Sequence, residues 1–167
     1  MTGFFVPKKV FFTCGTGRDP ERLASFEMAL RDASIECYNL VTVSSILPPK
    51  CQIISKEEGL RQMAAGSVIF TVMSRLSSNE PHRRISTSIG VAIPEEMETQ
   101  WGYFAEHHSF GQSKERAGKY AEKLAHDMYN SITDKIPKKT LNVTETAVVG
   151  DEGEWTTVLA AAIFLME

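Results

Sequence analysis

The chain has 167 residues, with 18 lysines and arginines against 21 aspartates and glutamates and a net charge of −3. That length suits a single domain, 1–167, with a sizeable core, and the absence of any basic run leaves no footprint for nucleic acid. No stretch is long and apolar enough to span a membrane, and the N-terminus places Lys8 and Lys9 after its apolar residues, the reverse of a signal peptide, so a cytoplasmic protein is expected.

In chain order, Val10–Cys14 reads as a buried strand ended by the turn Gly15-Thr16-Gly17-Arg18. The lone GxG lacks the strand–helix fingerprint of a phosphate site. Asp19 reads as an N-cap, with Pro20 at the first helical position, for a helix reaching about Ser34. Leu23, Phe26, Leu30 and Ala33 form its apolar face, with Glu27 at the rim. Cys37–Val43 reads as a second, buried strand, Cys51–Ile54 as a short third, and Lys56–Met63 as a short helix broken near Gly66. Val68–Met73 is a strong strand, followed by a loop over Ser77–Pro81.

Along Ile85–Ile93 bulky residues alternate with Ser86, Ser88, Gly90 and Ala92, so the small face suits a closely packed helix or subunit. Trp101–His108 is the next strand. Gly102, Phe104 and Glu106 share one face of it, and His107 and His108 point opposite ways, a poor metal pair. Ser113 caps a long helix to about Ile132, with Ala117, Tyr120, Ala121, Leu124, Met128 and Ile132 as its stripe. Leu141–Val149 and Trp155–Met166 are strands joined by what reads as a hairpin loop, Gly150–Glu154, and the last is apolar enough to be buried on both faces. Cys14, Cys37 and Cys51 have no CxxC spacing, which fits reduced, buried thiols and neither a disulfide framework nor a zinc site. Many strands with two main helices give an α+β class, with helices packed outside mainly antiparallel sheets.

The stretch Thr42-Val43-Ser44-Ser45-Ile46-Leu47-Pro48-Pro49 has two readings. One is a Ser-Ser turn between a strand and a stiff Pro-Pro segment. The other is chemical: a serine hydroxyl held in near-attack geometry can attack the preceding carbonyl and exchange the amide for an ester.

That segment resembles the self-cleavage site of the pyruvoyl-dependent arginine decarboxylases. The resemblance extends, in order, to Asn39 upstream, to Ile85–Pro94 as the family's central strand, to Trp101–Glu106 as the segment with its catalytic glutamate, and to Ala160–Leu165 as its last strand. It implies an αββα sandwich that cleaves itself between Ser44 and Ser45 into a β chain, 1–44, and an α chain, 45–167. Ser45 would become a pyruvoyl group, with no pyridoxal phosphate and no metal, forming a Schiff base with L-arginine on the way to agmatine and carbon dioxide. Asn39 would assist cleavage at the Ser44 carbonyl, and Glu106 would return a proton to the substrate. Glu27, Tyr38 and Ser44 would bind substrate. The family carries aspartate where this chain has Glu27, and Glu36-Cys37-Tyr38 is bulkier than the family's Gly-rich segment. The resemblance also implies a homo-oligomer, a trimer or a dimer of trimers, with sites between subunits. The alternatives are a pyruvoyl decarboxylase for another amino acid and an unprocessed trimeric binding or scaffold protein of the same fold.

Overall fold

The computed structural model describes residues 4–166. The elements run β1 (Lys9–Asp19), α1 (Arg22–Asp32), β2 (Asn39–Thr42), β3 (Ile46–Leu47), β4 (Gln52–Ile53), α2 (Lys56–Arg61), β5 (Val68–Ser78), β6 (Arg84–Ile93), β7 (Gly102–Phe110), α3 (Lys114–Thr133), β8 (Lys139–Val148) and β9 (Trp155–Leu165). One sheet has the strand order β2-β5-β9-β1-β4 and the other β3-β7-β6-β8. The β1–β4 and β2–β5 pairs are parallel, and the long ladders are antiparallel.

Strand alternation builds the layers. On β9, Ala160, Ala162 and Phe164 enter the space between the sheets with Val10, Val72, Ile89, Val91 and Phe104. Leu159, Ala161 and Ile163 face outward against Ala29 and Ala33 of the α1 segment, with Leu60 beside them. On the far side, Ala125 and Tyr129 of α3 cover Ala92, Tyr103 and Ala105. The result is the expected helix–sheet–sheet–helix sandwich, and β9 is buried on both faces from Thr156 to Leu165.

Several local expectations are corrected. β1 does not end at Gly15 but runs through it to Asp19, because both glycines serve packing: a Cβ at Gly15 or Gly17 would strike the backbone of α1. That contact rotates α1, so Ser25 and Ala29 are its buried residues and Leu23 is 80% exposed. The helix starts later than expected, after Glu21, and the Asp19 carboxylate accepts from the Glu21 N–H at 2.9 Å. α3 starts at its expected cap, with Ser113 Oγ accepting from the Arg116 N–H at 3.3 Å. Its buried stripe is Ala117, Gly118, Ala121, Ala125 and Tyr129, leaving Tyr120 and Ile132 exposed. The small face of β6 sets that rotation, since a Cβ at Gly90 would collide with the Ala121 backbone. The turn at Gly150–Gly153 is not a hairpin: β8 pairs with β6 in one sheet, β9 with β1 and β5 in the other. β5 extends through the expected loop residues Ser77 and Ser78. β2 is an exposed edge strand instead of a buried one.

Candidate active site

The Ser44-Ser45 pair lies where the chain leaves one sheet and joins the other. The Val43 N–H still donates to Thr71 O of β5 at 2.9 Å, extending the β2–β5 pairing. Two residues later, the Phe104 N–H of β7 donates to Ser45 O at 2.8 Å, and Ile46 and Leu47 continue as β3 against Tyr103 and Gly102. Between these two anchors, Ser44 is exposed and belongs to neither sheet. The proline pair explains the exit: Pro48 and Pro49 have no N–H to extend the ladder, and β3 stops at Leu47. The Ser44-Ser45 peptide is thus tethered on both sides and free at its centre.

Glu106 lies two residues beyond Phe104 on β7. Alternation gives it the face that Phe104 directs between the sheets, at an edge where the residue itself is exposed. Neighbouring atoms strip part of the water from its carboxylate and raise its pKa above the ordinary value, while the charge of His108 pulls the other way. A cavity of about 370 Å³ beneath the crossover is lined by Ser44, Val43, Ile46 and Pro48, with Phe70 and Phe164 from the sheet above.

Of the remaining expected site residues, Tyr38 and Asn39 line a second cavity, of about 380 Å³, beside β2, and Glu27 is not in its lining. Thr42 lies at the end nearest Ser44, and Phe26 and Leu30 of α1 form a wall. Partial burial and the contact with Cys37 raise the Tyr38 phenol. Glu27 lies between Phe26 and Leu30 in sequence and accepts from Arg31 Nε at 3.1 Å, an ion pair half open to water. The Asn39 amide donates to Gly66 O at 2.9 Å. The structure therefore links Ser45 to the strand that carries Glu106, with Ser44 next to it in the chain but outside both sheets, and places Tyr38 and Asn39 around the outer cavity. It shows no hydrogen bond from Asn39 to Ser44 among the described residues.

Two contributors went unread in the sequence. Phe104 holds Ser45 through its backbone, which no side-chain pattern reveals. Arg75 stacks on the Phe26 ring, 4.4 Å from its centroid, and also lines the outer cavity. Among the described residues, no group of three or more histidine, cysteine or acidic side chains could hold a metal ion, and no helix is long and apolar enough to cross a membrane.

A two-sheet α+β sandwich whose chain crosses between sheets at a tethered Ser-Ser pair, with a glutamate of raised pKa two residues along β7 from the tether, is a candidate self-processing enzyme. The sequence pattern of the family described as pyruvoyl-dependent arginine decarboxylase matches residues 9–167. The chain belongs to that family. It is 60% identical over 161 residues to the pyruvoyl-dependent arginine decarboxylase of Methanocella arvoryzae, covering 96% of this chain and 97% of the relative. It is 50% identical to pyruvoyl-dependent arginine decarboxylase 1 of Methanosarcina mazei with the same coverage, and 47% identical to the Thermoplasma volcanium enzyme over the full length of both.

Proposed function

We propose that this chain is an arginine decarboxylase that makes its own pyruvoyl group from Ser45. The observation that carries the reading is the Phe104 N–H bond to the Ser45 carbonyl. That carbonyl is one that processing leaves in place, so a chain beginning at position 45 keeps its anchor on β7. The residues fit the group in a second way. Ser44, which must leave, sits outside both ladders.

Cleavage needs only the chain's own atoms and water. Ser45 Oγ attacks the Ser44 carbonyl carbon, the C–N bond breaks, and the nitrogen takes the hydroxyl proton, giving an ester. Loss of the Ser45 α-proton expels the Ser44 carboxylate. Tautomerisation and hydrolysis then release ammonia and leave the α chain, 45–167, capped, with 1–44 as the β chain. Once formed, the pyruvoyl group supplies a carbonyl that takes the substrate amine and draws electrons from its α-carbon as carbon dioxide leaves.

Glu106 is the proton donor in this reading. Replacing a carboxylate on the α-carbon by hydrogen consumes one proton per turnover, and a carboxyl with a raised pKa holds that proton closer to neutral pH. Asn39 has the role of oxyanion donor at Ser44, and Glu27 that of guanidinium partner, with Tyr38 and Ser44 shaping the pocket. Glu106 is not in the lining of the outer cavity, which favours a homo-oligomer, a trimer or a dimer of trimers, in which neighbours complete each site. The edge position of β2 and β3 supports it, as do the exposed apolar residues Val41, Ile46 and Val68 on or beside them. Incubation of purified protein with arginine should release carbon dioxide and agmatine in equal amounts. Cleaved protein that releases carbon dioxide from another amino acid but not from arginine would overturn the substrate assignment.

A further inference from the structure

The lining of the outer cavity beside β2 carries a single formal charge, and that charge is positive: the guanidinium of Arg75 on β5. Its carbon sits over the Phe26 ring, 4.4 Å from the centroid. A guanidinium stacked in this way has one face covered, and its N–H donors are left at the edge, in the plane of the group. Among the described residues nothing accepts from them, whereas Arg31 and Arg83 are paired with Glu27 and Glu80. The strand fixes where the charge stands. β2 follows β5 only as far as the pair Thr42 and Thr71, and after Val43 the chain turns away through Ser44 toward the other sheet. Met73 and Arg75 continue along β5 on the face that lines the cavity. Arg75 therefore lies past the last β2 pair, in the direction in which the chain crosses over.

We infer that Arg75 is a specificity-determining residue of the decarboxylation, which takes the α-carboxylate of arginine in the outer cavity. The inference rests on the reading that arginine is the substrate and that its amine goes to position 45. Arginine carries two positive groups and one negative group at neutral pH. Beside Arg75 the carboxylate is attracted and the substrate guanidinium is repelled, so the cavity's own charge orients the ligand. Attachment at position 45 asks for the same orientation, because amine and carboxylate share one carbon. Two parallel N–H bonds from a planar fork match the two carboxylate oxygens. The same charge favours clearance of the product. When carbon dioxide leaves, the negative group leaves with it, and agmatine keeps two positive charges and nothing for Arg75 to hold. A contact that is lost as the bond breaks lowers KM without raising kcat.

Arg22 supplies a control. It stands at the start of α1 with its guanidinium 5.3 Å from the centroid of the Trp155 ring. It lines a neighbouring cavity of about 300 Å³ that shares Phe26 and Arg75 with the outer one, and it is not in the lining of the outer cavity.

The test measures KM for arginine and Ki for agmatine on fully cleaved wild type, Arg75→Met, Arg75→Lys and Arg22→Met. In Arg75→Met, KM should rise by about tenfold, the scale of a lost charge-assisted hydrogen bond. Its kcat should not fall, and agmatine should inhibit at least as well as it does in wild type. Arg75→Lys keeps the charge and should recover part of the loss, while Arg22→Met should match wild type. Several results overturn the inference. An unchanged KM in Arg75→Met does so, as does a KM rise matched by an equal rise in the agmatine Ki, which marks a disturbed cavity wall. An equal KM rise in Arg22→Met does so too, since it assigns the effect to surface charge at large. A second arm needs no substitution: argininamide, with a neutral amide in place of the carboxylate, should inhibit wild type with a Ki about tenfold above the KM for arginine. A Ki equal to that KM also overturns the inference. Failure of the underlying reading is distinguishable, because cleaved wild-type protein would then release no carbon dioxide from arginine.

Discussion

The amide of Phe104 and the carbonyl of Ser45 are joined by a 2.8 Å hydrogen bond that fixes the C-terminal half of the Ser44-Ser45 pair to β7. The N-terminal half is fixed only as far as Val43, which bonds to Thr71 of the opposite sheet. The peptide between them bridges the two layers of the sandwich. Severing it separates no ladder, so the cleaved protein should keep its fold. β1 stays paired with β9 along its whole length and with β4, which holds the 1–44 piece in place. Native size measurements before and after cleavage should agree.

Glu106→Gln keeps the shape of the side chain and removes its transferable proton. In fully cleaved protein, kcat should fall by about 10² to 10⁴ with a smaller change in KM. The wild-type pH profile follows from the direction of the shift. The donor form is present below the raised pKa and lost as pH rises through it, so the alkaline limb lies above the ordinary carboxylate range. The same shift bears on stability. The favourable contribution of a neutral Glu106 is complete below its unfolded pKa and lost as pH rises through the folded one. Glu106→Gln should therefore gain thermal stability over wild type at pH 8 and lose that advantage near pH 4. A Tm difference that does not vary with pH would place Glu106 in ordinary solvent.

Glu27→Gln should raise KM for arginine while leaving cleavage complete, because processing needs no substrate. Arg31 already satisfies this carboxylate with its own guanidinium, so Arg31→Ala should lower KM if substrate and Arg31 compete for the same oxygens. Unchanged arginine kinetics in both variants would move guanidinium recognition elsewhere.

Gly90→Val tests the close seat of α3 on β6. The added side chain meets the Ala121 backbone, and overpacking of this kind costs about 1–3 kcal/mol. A clear fall in Tm is expected, whereas Gly66→Val meets nothing within reach and is strained only by its positive φ.

Of the cysteines, Cys37 is exposed, against the expectation of buried thiols. Burial, helped by the Glu145 carboxylate, pushes Cys14 up to about 11, and burial alone pushes Cys51 up to about 12. Iodoacetamide at pH 8 should label Cys37 in the folded protein and spare the other two until it is denatured. Mass mapping reads this directly.

What was legible in the sequence was whatever a short window encodes. The alternation along Ile85–Ile93 marked a small face, and α3 fills it. The apolar run of β9 marked a strand covered on both sides. What was not legible depended on partners distant in the chain. Gly15 and Gly17 looked like a turn because their reason for being small is α1, and the Gly150–Gly153 segment looked like a hairpin because nothing local says that its strands join different sheets. At the site, Ser44, Ser45 and Glu106 were marked by the resemblance to the family, since by residue type alone they read as a Ser-Ser turn and a strand-end carboxylate. Phe104 did not, since it acts through a backbone N–H that every residue but proline carries.

Cleavage between Ser44 and Ser45 is tested most directly by intact mass analysis of the denatured wild-type protein. Two chains are expected, 1–44 and 45–167, with summed masses equal to the uncut chain plus water minus ammonia. The larger should react with a carbonyl reagent and resist sequencing from its N-terminus, and Ser45→Ala should remain one inactive chain. A wild-type protein that stays a single intact polypeptide and still releases carbon dioxide from arginine would contradict it.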